Sequence, residues 1–431
     1  MAAAAAVSQT HLFQPRRRFG PLRAAGHRRF GSLIKDGLVS PDPLKYRYSG
    51  TDQQMICSAD AISQLGEVAD RLGVSRALVV CGPNILSGSN VIQRVQAALG
   101  KRVAGLFSGI APHSPVEVLE EAVTVAKDLD PDVLIAVGGG STSDTCKGIA
   151  VMLAEGGDLH DYEVRFEPPD KVIIPELPHQ KIPIIAVATT MGAAELSNGG
   201  GGFTDKTLGR KILISGQGTA PKVVIIDGQA LATTPISIVL STALGQFRIA
   251  VESIYSTDHH PISDALALHT IRLLVRHLPR CQDGDIEALL QVKTAACMTM
   301  LARPGLGLNT ATAHQVGGLY DVPHGEANSI LLPHTMRFNT DACADRLALV
   351  AEAMGIDTRG MHDESASLAA ADGVADLCRS LGMPMTLQEA GVPEDGLESI
   401  ASATLHDRSL ATNPKPVYDA GPIMAILRAA W

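Results

Sequence analysis

Cysteine is sparse in this chain, and no two cysteines form a Cys-x-x-Cys pair. Seven occur among 431 residues, at Cys57, Cys81, Cys146, Cys281, Cys297, Cys343 and Cys378. Scattered and odd in number, they exclude a disulfide or zinc framework and suit a reduced compartment. Positive charge is not in excess either. The formal net charge is −9, which argues against nucleic acid as the main partner. No apolar run approaches the length of a membrane-spanning helix, and there is no internal repeat. What is present is 45% hydrophobic and 19% charged, enough to bury a large core in two or three domains.

The first 35 residues lack acids altogether. They carry Arg16, Arg17, Arg18, Arg23, Arg28, Arg29 and Lys35 after a run of alanines, Ala2 to Ala6. That composition suits a disordered basic extension or an organelle transit peptide. We set residues 1–35 apart from the fold. The expected location is cytoplasmic, or mitochondrial if the chain is eukaryotic and the segment is a transit peptide.

From Asp36 to about Asp227, short β-rich runs alternate with helical ones. Leu78–Cys81, Val103–Phe107, Leu134–Val137, Ile184–Val187 and Val223–Ile226 are five strand candidates. Pro115 to Asp128 is an amphipathic helix between two of them. This alternation predicts a parallel sheet covered on both faces. Beyond Pro235 the texture is helical, at Ile236–Tyr255, Ser263–Leu278, Gly284–Leu301, Ala344–Met354 and Glu364–Leu381. The expected architecture is an α/β N-terminal domain over residues 36–230, Rossmann-like in its parallel sheet, followed by an all-α domain over 231–431. A ligand would sit in the cleft between them.

One stretch carries more chemistry than any other. The apolar run Val133–Val137 leads into Gly138-Gly139-Gly140-Ser141, and Asp144 and Lys147 follow in a helical run. A strand, a glycine turn and a helix start present backbone N–H groups to an anion. Glycine lets that anion approach the main chain. A plain tight turn gives the same local pattern.

Further motifs accompany it in order: Ala188-Thr189-Thr190-Met191-Gly192-Ala193-Ala194-Glu195-Leu196-Ser197, Ala250-Val251-Glu252, Ala313-His314-Gln315-Val316-Gly317-Gly318, and Val322-Pro323-His324-Gly325-Glu326-Ala327-Asn328. Asp407-Arg408-Ser409 and Thr412-Asn413-Pro414-Lys415-Pro416 complete the set. From about residue 40 onward the chain resembles the iron-containing alcohol dehydrogenase family, with its dehydroquinate synthase-like fold. The short Thr-Thr segment resembles the maleylacetate reductase branch.

The resemblance implies NAD or NADP as cofactor. Gly138, Gly139, Gly140 and Ser141 would hold its pyrophosphate, with Asp144 near the nicotinamide side. Thr189 and Thr190 would bond the adenosine or ribose end, with Ser197 and Lys211 nearby. Gly82 falls where many relatives carry an acid that contacts the ribose 2′-hydroxyl, so a 2′-phosphate would not be repelled here. His314 matches a histidine that would relay a proton to or from the substrate oxygen, a role suited to imidazole.

The family's metal ligands are an aspartate, a histidine four residues later and two further histidines. Aligned on Ala250-Val251-Glu252, those positions are Gly245, Ile249, Thr310 and His324. One imidazole does not hold a divalent ion against water, so no bound metal is expected. Arg248 is the candidate to polarise a substrate oxygen or bind a carboxylate, the other reading being a structural ion pair with Glu252. His324 would keep a substrate-facing role as donor, or remain as a relic.

The expected function is an NAD(P)H-dependent, metal-independent reductase or dehydrogenase. It would act on a small carbonyl, enone or imine and work as a homodimer, without nucleic acid or membrane. A non-redox isomerase or lyase on the same fold, and a silent nucleotide-binding relative, are the alternatives.

Overall fold

The structure is a computed structural model, and it describes residues 48, 50, 52–167, 171–197 and 200–431. The basic segment 1–35 lies outside the described residues. Among the described residues there are ten strands: β1 Gln54–Ser58, β2 Ala77–Cys81, β3 Val103–Phe107, β4 Val133–Gly138, β5 Arg165–Glu167, β6 Lys171–Ile173, β7 Ile184–Ala188, β8 Gly202–Asp205, β9 Arg210–Leu213 and β10 Val223–Asp227. Within the α/β half the α-helices are α1 Leu65–Leu72, α2 Pro83–Gly88, α3 Val91–Leu99, α4 Val116–Leu129, α5 Gly140–Glu155 and α6 Gly228–Leu231. Then come α7 Ile236–Tyr255, α8 Pro261–His277, α9 Ile286–Leu301, α10 Leu308–Tyr320, α11 His324–Met354, α12 Asp363–Ser380, α13 Leu397–Thr404 and α14 Ala420–Ala430.

Six strands form one parallel sheet in the order β1-β10-β7-β4-β2-β3. The inner strands β2, β4, β7 and β10 are buried along their whole length. That is why they read as unbroken apolar runs. Alternation then sorts them by face. Val79, Ile135 and Val187 pack against Leu65, Val68, Val91 and Val95 of α1 and α3. Leu78, Val80, Leu134 and Ala136 face Leu119, Ala122, Cys146 and Ile149 of α4 and α5. The α/β class followed by a helical half is therefore as expected.

Several boundaries differ from expectation. Between Pro83 and Leu99 the chain forms two helices, because Ser89 is fully extended (φ −151°, ψ 169°). The helix expected from Gly284 begins at Ile286. Gly284 is left-handed (φ 71°) and closes the preceding turn, and Asp285 caps α9 by accepting from the Ala288 amide. The segment expected at Ala344–Met354 is the end of the 31-residue α11, which kinks at Cys343 (φ −154°, ψ 41°). Strand β1 was not expected, since Gln54–Ser58 is an edge strand without an apolar run.

The two halves share one core. Ala186, Val224 and Ile226 of the sheet pack with Val239, Ala243, Leu244 and Phe247 of α7 and with residues of α8, α9, α11 and α12. This core fixes β7 and β10 against the helical half. Among the described residues no helix is long and apolar enough to cross a membrane.

Candidate active site

The chain leaves β2 for β3 on one side, then returns to β4 on the other side of β2. The crevice between the carboxyl ends of β2 and β4 is thus a topological switch point, where open α/β sheets bind ligands. Gly82 follows β2 at the start of α2. Gly138-Gly139-Gly140 follows β4 at the start of α5, with Gly139 as the N-cap.

Gly138 and Gly139 are required by space. A Cβ on Gly138 would lie 2.2 Å from Thr142 Oγ1, and one on Gly139 would lie 2.9 Å from the Thr190 side chain. A side chain at Gly82 would meet only the Ile110 carbonyl, at 3.4 Å. The Ser141 hydroxyl accepts from the His113 amide at 3.1 Å, which ties the β3–α4 loop to the turn. Asp144 accepts from the Gly202 amide at 3.2 Å. Burial pushes its pKa up, against the opposing pull of Lys147 and Lys211.

The segment after β7 faces the glycine turn. The Thr189 amide donates to the Gly138 carbonyl at 3.0 Å. Thr189 is 4% exposed, so Thr190 is the member of the pair with open surface beside Gly139. Ser197 closes a 3-10 turn, Ala194–Leu196, and is half-buried.

Two fully buried lysines clamp this segment from opposite sides. Lys147 of α5 donates to the Ala194 carbonyl at 2.8 Å and the Gly200 carbonyl at 3.4 Å. Burial lowers its pKa, while Asp144 and Glu195 pull the other way. Lys293 of α9 pairs with Glu195 and donates to the Gly192 carbonyl. Buried charges persist only when paired and hydrogen-bonded, so the loop is held to both halves at once. Lys147 is the motif's lysine, yet it holds the protein's own carbonyls.

Across the cleft, α7, α10 and α11 bring a polar cluster together. The Arg248 side chain is 4% exposed. Its Nη1 donates to Thr310 Oγ1 and, at 3.3 Å, to Glu252 Oε2. Its Nη2 lies 3.3 Å from His324 Nε2, and its Nε has no partner among the described residues. Glu252 also accepts from the Gly307 and Thr310 amides and the Thr310 hydroxyl. Thus Arg248 makes the expected pair with Glu252, but the same guanidinium also faces the cleft.

Arginine only donates, so His324 Nε2 accepts and its proton sits on Nδ1. His324 keeps exposed surface, but protein surrounds most of its ring. That desolvation, reinforced by Arg248, His314 and Lys211, pushes its pKa down to about 3. Its ring stacks on His314, with centroids 5.6 Å apart and planes 17° apart. His314 Nδ1 lies 2.7 Å from Asp407 Oδ2. Burial pushes the Asp407 carboxyl up, but its bonds with His314 and the Ser409 amide prevail and hold it below the usual range. Lys211 of β9 is exposed, and its charge acts on both Asp144 and His324. It therefore bridges the two sides of the cleft electrostatically.

Known proteins share this fold. Residues 52–228 match the model of the iron-containing alcohol dehydrogenases, and residues 239–431 match the C-terminal model of the Fe-containing alcohol dehydrogenase family. The chain belongs to the iron-containing alcohol dehydrogenase family. It is 31% identical over 365 residues to a 1,3-propanediol dehydrogenase of Citrobacter freundii, covering 83% of this chain and 92% of that one. It is 28% identical over 363 residues to an NAD-dependent methanol dehydrogenase of Bacillus methanolicus, covering 82% and 92%. The solved maleylacetate reductase of Agrobacterium tumefaciens superposes with a TM-score of 0.74 at 27% identity, covering 90% of this chain and 98% of that one. As a member of this family the protein is an oxidoreductase.

The four positions that the resemblance would align with metal ligands are Gly245, Ile249, Thr310 and His324. Gly245 has no side chain and open space around it. Ile249 is apolar and 5% exposed. Thr310 and His324 remain, and both hydrogen-bond the Arg248 guanidinium. Among the described residues no three His, Cys, Asp or Glu side chains gather as a ligand set. One imidazole and one hydroxyl facing a fixed cation do not fit a divalent ion. Two partners here were not expected as site residues. Asp407 was visible only as part of a tail motif, and Lys293 carried no signal.

Proposed function

We propose that this oxidoreductase uses NAD(P)H to reduce a small carbonyl compound, or oxidises the corresponding alcohol, without a metal ion. The observation that carries this reading is the Arg248 guanidinium bonded to Thr310 and His324, two positions where the family would place ligands. A buried guanidinium is a permanent charge with fixed donors. It supplies the electrostatic term that a Lewis acid supplies elsewhere.

The glycine turn fits a dinucleotide. Gly138, Gly139, Gly140 and Ser141 would hold the pyrophosphate on the α5 N-terminus, with Asp144 toward the nicotinamide. Thr189, Thr190, Ser197 and Lys211 would line the segment around it. When bound, the nicotinamide supplies or accepts the hydride. Gly82 leaves NADP as acceptable as NAD, because no carboxylate stands there to repel a 2′-phosphate.

The chain's own residues do the rest. The Arg248 guanidinium stabilises negative charge on the substrate oxygen. His314, oriented through Nδ1 by Asp407, exchanges a proton with that oxygen through its free Nε2. His324, neutral and stacked on His314, accepts from Arg248 and keeps its fork in place. An enone or imine would meet the same groups. By family resemblance we expect a homodimer. The seven free cysteines suit a reduced compartment such as the cytoplasm, or the mitochondrion if residues 1–35 act as a transit peptide.

Titration of NADH and NADPH, followed by fluorescence quenching and thermal protection, tests the reading. Binding below millimolar concentration, and turnover with aldehydes or keto acids, are expected. Absence of binding at millimolar cofactor would refute it.

A further inference from the structure

Among the described residues, four glycines are buried within α-helices: Gly148, Gly228, Gly245 and Gly325. Three of them serve packing. A Cβ on Gly148 would lie 2.7 Å from Phe203, and one on Gly228 would lie 2.5 Å from Ile286. One on Gly325 would collide with the Ser241 carbonyl. Gly245 is different. A Cβ there would meet no atom within 4 Å, and its backbone is not left-handed. Neither packing nor backbone geometry therefore calls for glycine in the middle of α7. Glycine there destabilises the helix relative to alanine. What it supplies is space.

That space opens on the cleft. Ser241, Gly245, Arg248, Ile249 and Glu252 share one face of α7. Ser241, one turn before Gly245, touches Gly325 of α11. Arg248, one turn after it, meets His324, the residue before Gly325. Gly245 thus looks between these two contacts toward the start of α11. Thr242, on the adjoining strip of α7, accepts from the Met191 amide at 3.1 Å. Met191 belongs to the loop that faces the glycine turn. The open space therefore lies between the cofactor side of the cleft and the Arg248 guanidinium. Beside Gly245 on this face, Ile249 is apolar and buried. The acid of the same face, Glu252, is held by Arg248 and by the Gly307 and Thr310 amides.

We propose that the space in front of Gly245 is a substrate subsite for a small apolar group on the reacting carbon, so that the substrate is a small ketone or its secondary alcohol. This rests on the oxidoreductase reading and narrows its substrate class. Arg248 holds the oxygen, and the second substituent of the same carbon falls one helical turn back, over Gly245. Any side chain at this position would fill the room that a ketone needs and an aldehyde does not. Gly245 is thereby a specificity-determining residue. The reaction stays balanced. The carbonyl carbon gains a hydride from the reduced nicotinamide, and the oxygen gains a proton from His314.

Propanal and butanone, which differ by one methyl on the reacting carbon, test it on the cofactor-loaded enzyme. The wild type should reduce both. Gly245→Val should cut the butanone-to-propanal ratio of kcat/KM by about tenfold or more, mainly through KM, the scale of one methylene in a shaped pocket. Gly245→Ala should cut it less. Gly245→Ala should also hold or raise the melting temperature of the cofactor-free protein, because it adds helix propensity without a clash. An unchanged ratio in Gly245→Val, or a lowered melting temperature in Gly245→Ala, would overturn the subsite. So would a wild type that reduces propanal but not butanone. If neither probe is reduced although NADH binds, the redox reading fails and thermal protection decides the subsite separately. Butanone should then raise the melting temperature of the wild-type NADH complex but not that of Gly245→Val. Equal effects on both, or none, would overturn it.

Discussion

Arg248 Nη2 lies 3.3 Å from His324 Nε2, so a guanidinium faces the one imidazole among the four positions that we propose correspond to the family's ligands. The same guanidinium donates to Thr310, a second of those proposed positions. A positive charge is thus built into the helical half from the protein itself. Its counter-ion, Glu252, is fully buried one turn further along α7.

Removing that charge should slow the chemistry more than it weakens cofactor binding. For Arg248→Met we expect kcat to fall by about 100- to 1000-fold, the scale of losing one preorganised donor at a developing oxyanion. Affinity for NADH, measured by fluorescence titration, should stay within about threefold of the wild type. Arg248→Met also strands Glu252, at a stability cost on the order of 3–5 kcal/mol. The double variant Arg248→Met, Glu252→Gln should recover much of that stability, read from urea unfolding, but not the rate.

His314 and Asp407 should behave as a unit. His314→Ala is expected to lower kcat by roughly 100- to 10000-fold, the range for a lost general acid. Asp407→Asn keeps the shape of the partner but not its charge. It should lower kcat less than His314→Ala, and the double variant should lose little beyond His314→Ala alone. Full additivity of the two in steady-state kinetics would mean that Asp407 does not act through His314.

The buried pair Lys293–Glu195 ties α9 to the loop that faces the glycine turn. Lys293→Met leaves Glu195 uncompensated and should destabilise by on the order of 3–5 kcal/mol. Loosening that loop should also raise the NADH dissociation constant. The paired variant Lys293→Met, Glu195→Gln should restore stability to a greater extent than cofactor affinity. Calorimetry with and without NADH separates the two effects.

His324 gives the clearest pH prediction. Burial holds its folded pKa at about 3, down from an ordinary 6.5. The unfolded chain therefore binds a proton at a pH where the folded chain does not. The contribution of His324 to stability is fully present above about pH 6.5 and declines as the pH falls toward 3. His324→Asn should make unfolding less sensitive to acid across that window, followed by circular dichroism. Above pH 5 the same substitution should add or remove no limb in the pH dependence of kcat, because His324 stays neutral there.

How far the sequence foretold this site follows from physical range. The glycine cradle was legible because its parts are contiguous and β4, buried on both faces, reads as an apolar run. The α/β class was legible for the same reason. Strand β1 was not, since Gln54–Ser58 is a half-exposed edge. The β8–β9 hairpin, which places Lys211 over the cleft, carried no periodic signal. His314 and His324 were legible from their motifs, but His314 meets Asp407 across 93 residues. The Lys293–Glu195 pair spans 98. Pairings of that separation come from packing, which no local pattern encodes.

The central claim is that Arg248 stands in for the metal of this family. It is tested most directly by metal analysis and turnover on one preparation of purified, unchelated enzyme. We predict much less than one iron or zinc per chain and an NADPH- or NADH-dependent kcat unchanged by exhaustive chelation. Near one metal per chain, with activity lost on chelation and restored by one equivalent of iron or zinc, would contradict the account.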